Sequence, residues 1–317
     1  MSTEPLLFLV GPTGSGKSRL ALSVAPALGA DVLSMDSMSV YEGMDIGTAK
    51  PGSDERRSVT HHLLDLVGAD QAFNVADYLE GAERVLRDLA ESGRRGLFVG
   101  GTALYMKALI SGLFEGPAAD AGVRGELAER AEREGSETLH AELTSVDPEA
   151  ARRIHPNDLK RIVRALEVYR VTGKPISEFQ EQWASAENAR RHVIVGLDWD
   201  RQELYARIDR RVIEMFERGL VDEVRGLLAR HGQLGPTASK AVGYSEVVEH
   251  LGGAITQAET VELVQRHSRQ LAKRQLTWLR RFGEIRWVRM SPGCDQAEIA
   301  GEVVSIFEKA LSETSRG

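Results

Sequence analysis

Residues 6–18 read LLFLVGPTGSGKS, an apolar run that passes directly into a glycine-rich loop ending in lysine and serine. The run Leu6–Val10 predicts a buried strand, and the apolar spacing over Lys17–Leu28 predicts a helix. Between them, Gly11–Ser18 fits the pattern G-x-x-x-x-G-K-[ST] in the strand–loop–helix context that this pattern requires. The stretch therefore predicts a phosphate-binding loop at the start of an α/β sheet.

The chemistry of phosphate binding explains the residue types of this loop. Glycines let the backbone turn tightly, so that N–H groups converge on phosphate oxygens, and the helix N-terminus adds a partial positive charge. Lys17 would supply a point charge to the terminal phosphate, and the Ser18 hydroxyl is a candidate Mg²⁺ ligand. The loop alone does not identify the phosphate ester. The predicted phosphate-binding residues are Gly11, Pro12, Thr13, Gly14, Ser15, Gly16, Lys17 and Ser18.

Strand and helix signals alternate through the first hundred residues. Asp31–Met35 and Leu97–Val99 predict buried strands, and Val75–Ser92 predicts a helix between them, which favours βαβ units and a parallel sheet. Residues 118–183 carry helical patterns without strand signals, and Val193–Leu197 is strand-like again. We predict a P-loop NTPase-like α/β core at 1–114, an inserted helical region at 115–190, and a strand returning to the sheet plus a mostly helical C-terminal region at 191–317.

Composition excludes several classes of protein. With 40 basic and 47 acidic residues the formal net charge is −7, which argues against a wholesale polycation. The single cysteine, Cys294, excludes a disulfide framework and a multi-cysteine metal site within this chain. No apolar run approaches the ~20 residues that span a bilayer, and no basic leader precedes Leu6. We therefore expect a cytoplasmic protein with no membrane partner. We also expect the protein to be a monomer.

Two basic stretches are hidden within this acidic total. Arg152–Lys174 has seven basic residues against two acidic ones, and Arg266–Arg289 has eight against Glu284 alone. We predict a basic helix in each. Each helix fits either an ordinary solvated face or a surface that attracts a nucleic-acid backbone.

A further candidate site residue, Asp36, follows the predicted strand Asp31–Met35. Ligands of open parallel sheets bind at the carboxyl ends of strands, so Asp36 is expected to face the loop's phosphate from a neighbouring strand. It would act as a general base or an outer-sphere Mg²⁺ contact, and a turn or helix-capping role is the alternative. The strand Leu97–Val99 ends in Gly100-Gly101-Thr102 rather than in the Asp that an ATPase would present there, which weakens an NTP-hydrolase interpretation.

Further motifs carry a family resemblance: Asp36-Ser37, Tyr41–Pro51, His61–Leu63, Phe73–Tyr78, Val99–Tyr105, Asn157–Glu167, Val242–Tyr244 and Arg269–Trp278. With them the chain resembles the bacterial tRNA dimethylallyltransferase family over nearly its whole length. Asp45–Pro51 and Lys273–Trp278 are together specific, whereas the phosphate loop is shared by many families. Members transfer a dimethylallyl group from its diphosphate to the exocyclic N6 amine of the adenosine just 3′ of the anticodon. The resemblance implies Mg²⁺ as cofactor, and dimethylallyl diphosphate and the tRNA anticodon stem-loop as partners.

The resemblance also implies roles for single residues. Gly11–Ser18 would hold the diphosphate with Mg²⁺ through Lys17 and Ser18, and Thr13 would lie close to the prenyl substrate. Asp36 would accept a proton from the adenine amine. Arg207 would help bind the diphosphate, with Arg210 and Arg211 close by in sequence. The implied tRNA contacts are Asp36, Ser37, Met38, Ser39, Thr102, Arg124, Lys160, Arg161, Ile162, Val163, Arg164, Lys240, Gly243, Tyr244, Lys273, Arg274, Trp278 and Arg280.

Two residues depart from the family pattern, and several features have plainer interpretations. Ser39 and Ser245 stand where longer polar side chains are common.

The adjacent His61 and His62 would point to opposite faces of a strand, which favours core or hydrogen-bonding roles over metal binding. Trp278 and Trp287 fit core packing as well as base stacking, and Arg124, taken alone, fits a surface ion pair.

The residues leave two alternative functions open. The first is a small-molecule or nucleoside kinase, in which the basic stretch Arg152–Lys174 would be a phosphate-closing lid. It predicts ATP consumption and a phosphorylated product without RNA. The second is an RNA-binding ATPase that uses ATP as a switch, which predicts RNA-stimulated ATP hydrolysis.

Overall fold

A parallel sheet forms the centre of the fold. The computed structural model of the chain describes residues 4–112, 116, 117, 120–184 and 189–314. Within them the strands are β1 (Leu6–Val10), β2 (Ala30–Met35), β3 (His61–His62), β4 (Arg95–Gly100), β5 (His192–Trp199) and β6 (Arg286–Met290). All pairings are parallel, in the order β3-β2-β4-β1-β5-β6. The predicted α/β fold is confirmed.

Helices make up most of the remaining described chain. They are α1 (Lys17–Ala27), α2 (Ser53–Ser58), α3 (Val75–Glu91), α4 (Ala103–Ser111), α5 (Ala121–Glu134), α6 (Ser136–Val146), α7 (Pro148–Arg153), α8 (Leu159–Thr172), α9 (Ile176–Ala184), α10 (Arg201–Glu217), α11 (Leu220–His231), α12 (Tyr244–Leu251), α13 (Gln257–Leu279) and α14 (Gln296–Thr314). No helix among the described residues is long and apolar enough to cross a bilayer.

The chain divides into two compact units. One consists of the residues up to Ile110 together with those from Arg190 onward, and contains the sheet. The other spans Ser111–Ala189, in which α5–α9 pack around a core that includes Leu127, Leu139 and Leu166. The boundary that we predict between residues 114 and 115 lies outside the described residues.

Strand β1 shows why the sheet is covered on both faces. Its five residues are all buried. Leu7 and Leu9 belong to a core cluster with residues of α1 and α14, while Leu6, Phe8 and Val10 belong to a second cluster with residues of α3 and α4. Strands buried on both faces read as continuous apolar runs, as this one does. The packing fixes the carboxyl end of β1, from which the phosphate loop emerges.

The strand order corrects one prediction. Asp36 follows β2, which we expected beside the strand that precedes the phosphate loop, but β4 pairs with both β1 and β2 and lies between them. The last residue of β4 is Gly100, which lets the end of β2 approach it closely. A Cβ on Gly100 would lie 1.9 Å from the carbonyl oxygen of Met35. The glycines that end β4 thus leave room above it between Asp36 and the loop.

The basic stretches are also less uniform than the sequence suggests. Arg152–Lys174 is not one helix, because α7 ends at Arg153 and α8 begins at Leu159. Pro156 lies in the break, where it lacks an N–H and disfavours helix in the residue before it. Asp158 restarts the helix by accepting a hydrogen bond from the amide of Arg161 at 3.3 Å. In the second stretch the helix ends at Leu279, and Arg286 and Arg289 lie on the edge strand β6.

Candidate active site

The loop between β1 and α1 has the tight geometry of a phosphate cradle. Gly14 and Gly16 adopt φ values of +80° and +88°, which L side chains rarely adopt. Gly14 is required for a second reason, because a Cβ there would lie 2.8 Å from Cγ1 of Ile208. The Lys17 ammonium folds back toward the carbonyl of Pro12 at 3.3 Å. The loop therefore presents its amides and one ammonium group at the start of a helix.

Three side chains from distant parts of the chain hold this loop. The indole N–H of Trp199 donates to the carbonyl of Ser15 at 2.9 Å, and Nε of Arg207 donates to the carbonyl of Gly14 at 3.0 Å. The amide of Thr13 donates to Oε1 of Gln275 at 2.8 Å. Sequence analysis did not assign a role to Gln275 individually, although it lies within the specific Lys273–Trp278 motif.

Arginines from α10 add positive charge to the loop. The guanidinium of Arg207 stacks 4.3 Å from the ring of Trp199. Nη1 of Arg211 donates to Oγ1 of Thr13 at 3.1 Å, while its buried Nε has no hydrogen-bond partner among the described residues. Both line the same cavity as the loop, whereas Arg210 does not and is exposed. The helix therefore brings Arg207 and Arg211, one turn apart, to the cradle.

Burial in this cluster disfavours the charged forms. Desolvation lowers the pKa of Lys17 to about 8, with Asp36 opposing the shift and Arg211 adding to it. Desolvation also lowers the pKa values of Arg207 and Arg211. Cations gathered without enough counter-charge favour binding of an anion, because the anion restores the charge balance.

Asp36 faces the same cavity from the end of β2. Its Oδ1 accepts a hydrogen bond from the amide of Met38 at 2.9 Å, and its Oδ2 accepts no hydrogen bond from the described residues. Oγ1 of Thr102 accepts from the amide of Ser37 at 3.1 Å and so ties the turn to the start of α4. Asp36 interacts electrostatically with Lys17 and Arg211. The carboxylate and the phosphate cradle thus border one space.

That space is a cavity of about 390 Å³ over the carboxyl ends of β1, β2 and β4. Besides the loop, Asp36 and the arginines, it has an apolar side formed by Leu22, Val32, Leu64 and Val99. The cavity therefore combines an anion cradle, a carboxylate and a small apolar wall.

The segment Gly47–Pro51 forms another part of the lining, and charged side chains hold it on both sides. Oε2 of Glu223 accepts from the amides of Asp45 and Ile46 at 3.0 and 2.7 Å, and Oε1 accepts from the hydroxyl of Tyr244 at 2.6 Å. On the other side, the buried ammonium of Lys50 donates to Oδ1 of Asp65 at 2.5 Å. Sequence analysis missed Glu223, because a surface-type helix residue gives no local sign of a distant backbone partner.

The adjacent histidines are engaged in hydrogen bonds. Nδ1 of His61 contacts the carbonyl of Val59 at 2.7 Å, and Nε2 of His62 contacts Oδ2 of Asp31 at 2.9 Å. Among the described residues no group of three or more His, Cys, Asp or Glu could hold a metal ion. The hydrogen-bonding interpretation of this pair is confirmed.

The residues that we predict to contact tRNA differ in their exposure to solvent. In the sheet unit, Lys240, Lys273, Arg274, Trp278 and Arg280 are exposed, and Ser37, Met38 and Thr102 are partly exposed. In the helical unit, Lys160 and Arg161 are exposed, and Val163 and Arg164 are partly exposed. Trp278 is 40% exposed and lies 5.0 Å from the guanidinium of Arg281, so it does not belong to the core.

Four predicted contacts are buried, and Gly243 is one of them. Ile162 is in the core of the helical unit, and Tyr244 is fully buried with its hydroxyl engaged by Glu223. Ser39 is 5% exposed, and its carbonyl accepts the amide of Asp65. The side chains of Ile162 and Tyr244 have no exposed surface for RNA, because helix periodicity turns them toward their cores.

A family model described as IPP transferase matches residues 39–282. The chain belongs to the IPP transferase family. The match begins after the phosphate loop, so it is independent of the motif from which the sequence analysis started.

Relatives of this IPP transferase match it over nearly the whole chain. It is 48% identical to the tRNA dimethylallyltransferase of Geobacter sulfurreducens over 93% of this chain and 94% of that protein. The crystal structure of the tRNA isopentenylpyrophosphate transferase of Bacillus halodurans matches with 38% identity and a TM-score of 0.74, covering 99% of this chain and 98% of the other. A eukaryotic dimethylallyltransferase acting on tRNA has the same fold, with a TM-score of 0.82 at 24% identity over 98% of this chain and 80% of that one.

Proposed function

We propose that this IPP transferase moves a dimethylallyl group from dimethylallyl diphosphate to N6 of the adenosine 3′-adjacent to the anticodon in tRNA. The observation that carries the proposal is the single cavity bordered by Lys17, Arg211 and Asp36. One side suits a departing diphosphate and the other a nucleophile that must lose a proton. The cytoplasm is the proposed location, since the lone Cys294 suits a reducing compartment. A monomer is the proposed state.

In the proposed reaction the C1–O bond of the allylic diphosphate breaks and a bond from N6 of adenine to C1 forms. Lys17, Arg207 and Arg211 stabilise the negative charge that develops on the leaving diphosphate. Asp36 accepts the N6 proton as the new bond forms, which offsets the weak nucleophilicity of an aromatic amine. The apolar wall that includes Leu22 and Val99 would hold the five-carbon group and exclude water from it.

The donor set suits Mg²⁺ as the cofactor. Ser18 lies at the start of α1 and lines the cavity, and Asp36 lines it as well. Mg²⁺ prefers oxygen ligands and is commonly held by few protein groups together with substrate phosphates. We propose that Ser18 ligates the ion, with Asp36 beyond its first ligands. Bound there, Mg²⁺ would neutralise charge on the diphosphate.

Labelled substrate provides the direct test. The protein is incubated with Mg²⁺, unmodified tRNA and dimethylallyl diphosphate labelled in its prenyl group. We expect label in the RNA and an equal amount of released diphosphate, with no turnover when ATP replaces the prenyl donor. A phosphorylated small molecule formed from ATP without RNA would support the kinase alternative, and RNA-stimulated ATP hydrolysis would support the ATPase. Either result, with no label in RNA, refutes the proposal.

The lowered pKa of Lys17 predicts a pH dependence of diphosphate binding. Lys17 carries its charge below pH 8 and loses it above, because burial lowers its pKa to about 8. The KM for dimethylallyl diphosphate is therefore expected to rise by up to about tenfold per pH unit above that value. In Lys17→Arg the side chain stays protonated, so its KM should be higher but flat from pH 7 to 9.5. A wild-type KM that does not change between pH 7 and 9.5 would contradict a role for the Lys17 charge.

A further inference from the structure

A fully buried carboxylate lies in the helical unit, beneath two arginines. The side chain of Glu167 on α8 has 0% exposure. Oε1 accepts from the amide of Asp120 at 2.7 Å and from Nε of Arg124 at 2.9 Å, and Oε2 accepts from Nη1 of Arg164 at 2.7 Å. Nη2 of Arg164 donates to the carbonyl of Pro117 at 3.0 Å. The carboxylate is fully satisfied, and its partners hold its pKa below the usual range in spite of burial.

The two arginines reach the surface above this carboxylate. The side chain of Arg124 is 45% exposed and that of Arg164 is 29% exposed. A guanidinium carries five N–H groups, and Arg124 uses only its Nε in this contact. The cluster therefore has its one negative charge inside and its two positive charges outside. It presents a net positive charge whose donors are fixed in direction.

Other arginines of the same unit differ in this respect. Arg153 pairs with Glu149, which is 40% exposed, and Arg161 pairs with Asp158, which is 37% exposed. Exposed pairs contribute little and exchange readily with solvent. Breaking the contacts of a buried carboxylate is much more costly, because a charge would be left unpaired in the interior. The Glu167 contacts thus immobilise Arg124 and Arg164, whereas the exposed pairs leave their arginines free to move.

We infer that Glu167 is a positioning residue that orients Arg124 and Arg164 for binding to the phosphodiester backbone of tRNA. This inference rests on the proposed function, which supplies tRNA as the polyanion. Arginine binds phosphate through paired donors in a fixed fork, so orientation matters as much as charge. Immobilising the side chains before binding removes part of the entropy cost of ordering them at the interface.

The variant Glu167→Gln distinguishes this role from simple electrostatics. It keeps the side-chain volume and one acceptor oxygen, but it loses the charge and places an amide N–H₂ where Oε2 receives Arg164. Removing a negative charge from an RNA-binding unit should tighten tRNA binding if only charge matters. The positioning role predicts the opposite: Kd for tRNA is expected to rise about threefold to tenfold, and the slope of log K against log salt to become shallower by about one. The kcat at saturating tRNA should stay near the wild-type value.

A matched control removes the same charge without disturbing the cluster. Glu126→Gln removes the 68% exposed carboxylate that pairs with Arg170, which keeps its second partner, Glu142, and the tRNA Kd of this variant should stay equal to that of the wild type or fall slightly. Thermal unfolding identifies any variant that does not fold. If Glu167→Gln does not fold, Arg164→Lys is used in its place. Lysine keeps the positive charge, but it lacks the planar guanidinium that donates to Glu167 and to the carbonyl of Pro117 at the same time. The same loss of affinity for tRNA is expected.

The outcomes separate the inference from the proposed function. Wild-type affinity and salt slope in a folded Glu167→Gln, or in Arg164→Lys if that variant is needed, would overturn the positioning role even if the wild-type protein transfers label to tRNA. Failure of the wild-type protein to transfer label would overturn the proposed activity instead, while the tRNA titrations of the variants could still be carried out and compared.

Discussion

Asp36→Asn is expected to slow prenyl transfer by about 10²–10⁴-fold, the range typical of losing a general base. Asparagine keeps a side-chain oxygen that can accept the hydrogen bond from the amide of Met38, so the turn after β2 should be preserved. What is lost is the ability to take the N6 proton. The rate is measured in single turnovers with labelled prenyl donor, and tRNA affinity is measured separately and should remain near that of the wild type.

A second aspartate provides the control for this variant. Asp200 follows β5 at the same edge of the sheet, where it caps α10 by accepting from the amide of Gln202 at 2.8 Å. Asparagine is an equally good cap, so Asp200→Asn should retain wild-type transfer. If Asp36→Asn transfers the prenyl group as fast as Asp200→Asn, Asp36 is not the base.

Arg211→Gln is expected to lower kcat/KM for dimethylallyl diphosphate by about 10²–10³-fold, comparable with removing one preorganised donor from a site of developing negative charge. Arg211 lines the cavity, donates to Thr13 and has a buried Nε without a partner among the described residues. A bound diphosphate would supply the missing acceptor. Steady-state kinetics with the diphosphate as the varied substrate measures the effect.

The neighbouring arginine is a matched control, since Arg210→Gln removes the same charge from an exposed position of the same helix. Its kinetics should equal those of the wild type. Addition of guanidinium ion should partly restore transfer in Arg211→Ala, which a purely structural role would not produce. Equal kinetics for the Gln variants at positions 210 and 211 would show that the charge next to Thr13 is dispensable.

Local sequence predicted the elements of the fold well, because the signals for them are local. The phosphate loop, β1 and α1 follow from glycine spacing and from an apolar run that ends abruptly at Gly11. The strand β4 was not expected between β1 and β2, since strand order depends on crossover connections that no short window contains. The break at Pro156 had a local signal, whereas the edge strand β6 mixes apolar and basic residues without a regular alternation and was included in a mostly helical region.

For the site, sequence was informative about residue types and silent about long-range partners. Asp36, Lys17 and Arg207 were named, and the structure brings all three to one cavity. The choice among the arginines could not be made from sequence. Arg207 and Arg211 share a helix face by their spacing, but only the structure shows that this face of α10 meets the loop. Gln275 and Glu223 were not identified from sequence, because each accepts a hydrogen bond from a backbone amide far away in the chain.

The distant side chains that support the phosphate loop have a consequence for biosynthesis. The loop is translated before Gln275, which engages the amide of Thr13 and is separated from it by 262 positions. A nascent chain emerging from the ribosome therefore holds an incomplete cradle until α13 has been synthesised. A chain that ends upstream of α13 lacks this contact, and we expect it to bind the prenyl donor more weakly.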